Sequence, residues 1–361
     1  MEMLWFAIVS VVVAVYVVLD GFDFGAGTLH LRVARSNAER RQVLAAIGPF
    51  WDANEVWLLA GGGVLFLAFP RVLAVGLSGF YLAIMLVLWV LILRGIAIEL
   101  RSHVADGLWQ TFWDGTFWLA STLAPVLFGV ALGNLVRGVP IDDNGWFTLA
   151  LFDSFSPFGA LGILDWFTVL AGLLGLTALA HHGALFLAWR TAGPVRDRAV
   201  GIAARLFPVV VVLWAAATAA TWTVAPGLVR GFLSRPLAWA CAVVFLGGLA
   251  SSLAARRAGR DRAAFLGSAL FLLGILAATA ASVYPVMIAA ANDPSRSLTA
   301  FNAASSPEAL RVGLYWWPAG FLLAVAYFVL LFRLHRGRVD AAEGAGRSPT
   351  ATSSSGSGAR T

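Results

Sequence analysis

Four carboxyl groups sit where a bilayer-spanning chain ordinarily has none. Residues 16–27 read YVVLDGFDFGAG, an apolar run carrying Asp20 and Asp23, and residues 48–59 read GPFWDANEVWLL, carrying Asp52 and Glu55. The i to i+3 spacing in each pair puts both acids on one helix face. An ionised acid at mid-bilayer costs about 2.5–3.5 kcal/mol on insertion scales, so such groups face a protein interior and mark proton or ion pathways. Like charges in low dielectric cannot all ionise, and grouped carboxyls share protons. That chemistry suits proton uptake. A plainer reading has the acids capping helix ends and pairing with Arg32, Arg35, Arg40 or Arg41. It is harder to hold for all four, because aromatics and glycines surround them rather than arginines. Trp51, Asn54 and Trp57 accompany the second pair and are candidate linings of a polar pocket, although tryptophans in such chains are more often interfacial anchors.

The elements that must position these groups follow from composition. The 361-residue chain is 60% hydrophobic and 12% charged, with a mean hydropathy of +0.83. Globular domains are about a quarter charged. The chain is therefore expected to be an all-α polytopic membrane protein. Nine runs reach the roughly 20 apolar residues a spanning helix needs, at about 4–30, 50–69, 73–98, 115–136, 160–189, 200–224, 237–255, 264–290 and 313–334. The second is the least regular, opening with acids and containing AGGG. All basic residues are arginine, and the net charge of +6 does not suggest nucleic acid. Most arginines, Arg94 and Arg101 among them, are assigned to alternate connections and the C-terminal end. The positive-inside rule then places the N-terminus outside and the C-terminus in the cytoplasm. On that topology Asp20 and Asp23 fall near the cytoplasmic end of the first span, and the four acids form one layer with Asp52 and Glu55. The N-terminal MEMLW has an acid where a signal peptide would be positive, so the first span is expected to be retained.

Residues 1–336 form the membrane domain in this reading, and the small, polar segment 337–361 is expected to be a disordered cytoplasmic tail. Gly21, Gly25, Gly27 and Gly61, Gly62, Gly63 suit close helix packing. The lone Cys241 excludes an internal disulfide and a cysteine-held cluster. His30, His103, His181, His182 and His335 are a poor haem ligand set, since adjacent His181 and His182 point apart and only a pairing such as His30 with one of them is conceivable; they read instead as polar helix-end residues, and no metal site is expected. Between the last two spans, Pro285, Pro294 and Pro307 break helices while Asn292, Asn302, Ser305 and Ser306 can satisfy freed backbone groups, so an ordered outer loop is predicted.

The segments LDGFDFGAG, ERRQVLAAIGPFWDANEVWLLAGGGVLFLAFP, SGFYLAIMLVLWVLILR, FGVALGNLVRGVP and YP…NDPSRSLTAFNAASSP, in this order, resemble subunit II of the cytochrome bd quinol oxidase family. The likeness runs from about Tyr16 to Arg338, and VLWVLILRGIAIELR with GILDWFTVLAGLL looks closer to its cyanide-insensitive branch. The resemblance implies two four-helix bundles plus a peripheral helix. It implies a respiratory complex of the bacterial inner membrane that oxidises quinol and reduces oxygen to water. Its two b-type haems and one d-type haem lie in subunit I, so no cofactor is expected on this chain alone; some members hold a structural quinone here, and a small single-span accessory subunit is a further partner to consider. By motif position Asp52 matches an acid on a cytoplasmic proton route, Asp20 and Asp23 match the DGFD acids, Trp51 precedes the route acid, and Trp57 matches a tryptophan at a proposed oxygen channel. Glu55 stands where some relatives have glutamine, and alanines at 289–291 replace an often-found proline.

The leading expectation is a haem-free subunit, without catalytic residues of its own, that supports subunit I and delivers cytoplasmic protons. A proton-coupled transporter is the alternative, argued against by the lack of an inverted repeat. A purely structural partner is another.

Overall fold

The computed structural model describes residues 1–157 and 159–340; most of the segment read as a tail, 341–361, lies outside them. Its helices follow the apolar runs. In chain order they are α1 (Glu2–Val33), α2 (Asn37–Ile47), α3 (Trp51–Ala68), α4 (Pro70–Gly79), α5 (Tyr81–Leu100) and α6 (Gly107–Arg137). After the strands β1 (Ala150–Phe152) and β2 (Gly162–Leu164) come α7 (Trp166–Arg190), α8 (Gly193–Val224), α9 (Pro226–Ser234), α10 (Pro236–Arg257) and α11 (Asp261–Val283). The strands β3 (Val286–Ile288) and β4 (Leu298–Thr299) precede α12 (Pro307–Leu334). Among the described residues, eight helices are long and apolar enough to cross a membrane, or up to nine if α3 and α4, bent by 120° at Phe69, count as one.

That bend is the main departure from the hydropathy reading. The third span begins at Tyr81 rather than near 73, because Pro70 occupies the first turn of a separate helix, α4. Proline is tolerated there, where its missing N–H would be unpaired anyway. The eighth span likewise ends at Val283, and the expected residues up to 290 turn instead into β3.

Helix α1 lies centrally, packed on α3, α6, α7 and α11. Glycine makes this possible. A Cβ on Gly25 would lie 2.0 Å from the Leu179 carbonyl oxygen and 2.8 Å from the Gly183 Cα, so α1 and α7 touch backbone to backbone. Gly248, Gly267 and Gly274 do the same for α10 and α11. Gly61 meets only Val12, and Gly62 and Gly63 have nothing within 4 Å, so the AGGG stretch does not serve close packing within this chain.

The end of the bundle away from the arginine-rich connections is closed by stitched loops. Asn292 donates to the Ile141 carbonyl at 2.8 Å and accepts from the Ile141 N–H at 3.1 Å. Asn302 bridges Thr299 and Ser297, Ser305 donates to the Leu67 carbonyl at 2.6 Å, and Ser306 caps α12. The ordered loop predicted from its prolines and amides is thus present. At the opposite end the chain beyond α12 does not leave the body at once. The Val339 N–H donates to the Arg190 carbonyl at 2.7 Å, Gln42 donates to the Val339 carbonyl at 2.6 Å, and Arg190 donates to the Gly337 carbonyl at 2.6 Å. Residues 337–340, grouped by sequence with the disordered tail, are ordered as a strap.

Candidate functional site: a buried acid cluster on the first helix

Asp20 and Asp23 are 0% and 1% exposed. Each lies in α1 and is turned toward α3 and α5, the helices that supply their partners. Asp20 is about 20 Å along the axis from the end of α1 at Val33, since each residue rises about 1.5 Å. The pair is therefore deeper than the sequence reading placed it. Asn54, fully buried on α3, donates through Nδ2 to Asp23 Oδ2 at 2.6 Å and to the Leu19 carbonyl at 3.0 Å. Tyr16, one helical turn before Asp20, is buried beside it.

The group that organises the acids is Arg94. Its guanidinium is fully buried, with Nη1 2.7 Å from Asp20 Oδ1 and Nη2 2.9 Å from Glu55 Oε1, and it lies 4.2 Å over the Phe24 ring. Counting Arg94 among the topology arginines is corrected here. A signal was present: Arg94 is the lone charge between Tyr81 and Ile98 in a run of apolar residues, and a span can hold such a charge only against a buried counter-charge. The acids do not pair with Arg32, Arg35, Arg40 or Arg41, so the plainer reading of them fails for Asp20, Asp23 and Glu55.

The expected single layer of four acids is also corrected. Asp52, in the first turn of α3, is exposed on this chain and has no ion pair or side-chain hydrogen bond among the described residues. The buried stripe of α3 is Ala53, Asn54, Trp57, Gly61, Val64 and Ala68. At about 100° per residue Asp52 lies some 200° from Asn54, on the opposite side, while Glu55 lies at the stripe's edge. Trp51 covers α5 at Gly95. Trp57 is buried, with its ring 6.0 Å from Phe321 and 5.8 Å from Phe328 of α12. Asn54 alone of the three candidate lining residues touches the acids.

A second cluster closes the same end of the bundle. Asp114 of α6 is 1% exposed and accepts from His30 at 2.7 Å, from Arg40 at 2.9 Å and from Arg101 at 2.5 and 3.0 Å. Arg101 also holds Asn37, so α1, α2, α5 and α6 meet at one carboxylate. His181 and His182 are interior residues rather than helix-end ones. His181 bonds the Ala203 carbonyl at 3.1 Å, and His182 bonds Ser268 at 2.6 Å and the Val18 carbonyl at 3.1 Å. At the far end of the bundle, Arg137 pairs with Asp165, the residue that caps α7, and donates to Asn134 at 2.6 Å.

Many spanning helices around buried ionic clusters define a polytopic membrane protein. The comparisons give the family. The profile described as "Cytochrome bd terminal oxidase subunit II" matches residues 1–335. The chain is 31% identical to the cytochrome bd-I ubiquinol oxidase subunit 2 of Escherichia coli, over 86% of this chain and 88% of that one. It is 32% identical to the cytochrome bd ubiquinol oxidase subunit 2 of Bacillus subtilis, with the same coverage. The structure of bd oxidase from Geobacillus thermodenitrificans shares the fold, with a TM-score of 0.71 at 18% identity, over 92% of this chain and 98% of that one. The chain belongs to the cytochrome bd terminal oxidase subunit II family. It is a multi-pass subunit of a quinol:oxygen oxidoreductase complex in the bacterial plasma membrane, and its partner is subunit I.

Proposed function

We propose that this subunit feeds protons toward the haems of subunit I, with Asp20, Asp23 and Glu55 as its proton-holding stretch and Asp52 on the face that meets the partner. The observation that carries this reading is the charge imbalance: of three neighbouring carboxyls the one guanidinium pairs with two, Asp20 and Glu55, while Asp23 bonds only the neutral Asn54, and Asp23 Oδ1 and Asn54 Oδ1 have no hydrogen-bond partner. Uncompensated charge in a protein interior costs several kcal/mol, so such a cluster retains protons it can exchange. The exposure of Asp52 suits a hand-over group between subunits better than an internal relay. The direction of transfer, from the cytoplasm, rests on the arginine-rich connections.

Asp23→Asn and Asp52→Asn in the assembled complex test the reading. Both are expected to lower quinol-oxidase turnover and membrane-potential generation while haem content stays intact. Unchanged turnover and potential in both variants would falsify it; loss of haem with normal turnover per haem would favour the purely structural partner. Solute uptake by the chain alone in proteoliposomes would favour the transporter.

We further propose that the chain binds no haem itself. The three buried histidines are each engaged with protein groups, which supports the reading. A structural quinone is a second proposal, favoured by an apolar cleft of about 1980 Å³ between α1, α6, α7, α8 and α11, walled by Phe6, Val17, Phe128, Trp214 and Phe271. Solvent extracts of the purified complex are expected to contain quinone, and Thr218→Trp, in the cleft wall, is expected to reduce it. A small accessory subunit would have the exposed apolar faces of α10 and α12 available.

A further inference from the structure

The connection between α10 and α11 is the most cationic short stretch of the described chain. It carries Arg256 and Arg257 in the last turn of α10, then Arg260 and Arg262 around Asp261. Gly259, at φ +68, turns the chain so that Arg260 opens α11. Together with Trp189, Ala263, Leu266 and the strap residues Gly337 and Arg338, this turn bounds a pocket of about 510 Å³. The acid present is already used. Asp261 takes Arg196 at 2.8 Å and Arg338 at 2.9 Å, and Asp197 faces Arg196 at 3.5 Å. Arg260 and Arg262 make no ion pair or side-chain hydrogen bond among the described residues; Arg262 lies 6.0 Å over the Trp189 ring. No side chain caps α11, so its first N–H groups add partial positive charge at the same place.

We propose that this pocket holds the phosphate of an anionic phospholipid, with Arg260 and Arg262 as its ligands. Guanidinium groups offer planar, paired donors that match phosphate oxygens. A lipid rather than a free anion is indicated by the wall: Trp189 and the half-exposed Leu266 continue the pocket into the apolar flank of α11, where glycerol and acyl groups would lie. The headgroup would also screen Arg338 and so help hold the strap against α7. The site is independent of the proton reading; it requires only that this end of the bundle lie at a lipid–water boundary, where basic pockets between helices select anionic headgroups.

The test is native mass spectrometry of the purified complex after delipidation and titration with dioleoyl phosphatidylglycerol, or with dioleoyl phosphatidylcholine of the same chain length. Phosphatidylglycerol is expected to be retained in preference. Arg260→Gln and Arg262→Gln should each weaken retention about fivefold, and the double variant about 25-fold. Arg336→Gln, exposed outside the pocket, should change nothing. Haem absorbance per complex verifies that each variant is assembled. Equal retention of the two lipids, or an unaltered double variant, overturns the proposal. Displacement of phosphatidylglycerol by millimolar inorganic phosphate overturns the choice of lipid as ligand.

Discussion

Helix α1 carries two buried ionic clusters about 10 Å apart along its axis, and they are built oppositely. Around Asp23 the acids outnumber the base: Asp20 and Glu55 pair with Arg94, Asp23 bonds only Asn54, and several buried polar atoms have no hydrogen-bond partner. Around Asp114 the bases outnumber the acid: His30, Arg40 and Arg101 converge on two oxygens, each of which accepts twice. A carboxylate saturated by hydrogen-bond donors is a clamp, since no proton can join it without losing those bonds. A carboxyl group with a free oxygen and a neutral amide partner can take up a proton and release it. The same residue type therefore does structural work at one level of the helix and leaves chemistry open at the next.

Removing the clamp should have the largest effect. Asp114→Ala leaves Arg101 buried without its counter-charge and His30 without its hydrogen-bond partner, and breaking such a group costs about 3–5 kcal/mol. The expected outcome is loss of assembled, haem-containing complex, measured by haem absorbance in purified membranes. If Asp114→Ala assembles and melts normally, the two clusters do not differ as described.

Arg94→Gln comes next, because it leaves Asp20 and Glu55 facing each other across an uncharged amide. A fall in melting temperature is expected, and Arg94→Lys should recover part of it, since lysine keeps the charge but not the fork that reaches both acids. Asp23→Asn is expected to separate the clusters most cleanly. Its hydrogen bond to Asn54 can be kept by an amide flip, so stability should change by less than about 1 kcal/mol. Turnover should nevertheless fall about tenfold, the effect of roughly 1.4 kcal/mol on a barrier. Stopped-flow proton uptake beside a thermal melt distinguishes the two effects.

How far these clusters could be read in advance depends on what a linear pattern records. Hydropathy found the spans because apolar length is a local property of sequence. It could not see the turn at Phe69, where an apolar run simply changes direction, nor the short helices α2 and α9 that lie outside the spans. The DGFD acids stood out because aspartate in an apolar run is costly wherever it points. Their partner was passed over, because an arginine near a span end has an ordinary explanation as a topology signal, which hid the cue that Arg94 is the lone charge in its apolar run. Asp114 was passed over for a similar reason: it sits among tryptophans just before the apolar run read from 115, where it looks like an interfacial acid. The i to i+3 rule brought Asp52 and Glu55 together on α3, but the rotation of that helix, set by Asn54 and Trp57 against its neighbours, split them between outside and inside.

The smallest expected effect lies at the edge of the clamp. Glu39 completes the capping box of α2 with Ser36 and takes both arms of Arg198, at 2.9 and 2.8 Å. The hydrogen bonds from Arg198 lead the causes that hold its carboxyl down at about 2, against an ordinary value of 4.5. The folded form thus prefers the charged acid more than the unfolded chain does. The stabilisation is fully present above pH 4.5 and drains away as pH falls toward 2. Because the pair is partly exposed and screened by salt, it should contribute about 1 kcal/mol or less. Arg198→Gln should therefore flatten the decline in melting temperature between pH 4.5 and pH 3 while leaving the value at pH 7 only slightly lower. An acid-limb slope unchanged by Arg198→Gln would assign the acid sensitivity of this end of the bundle to the buried clamp instead.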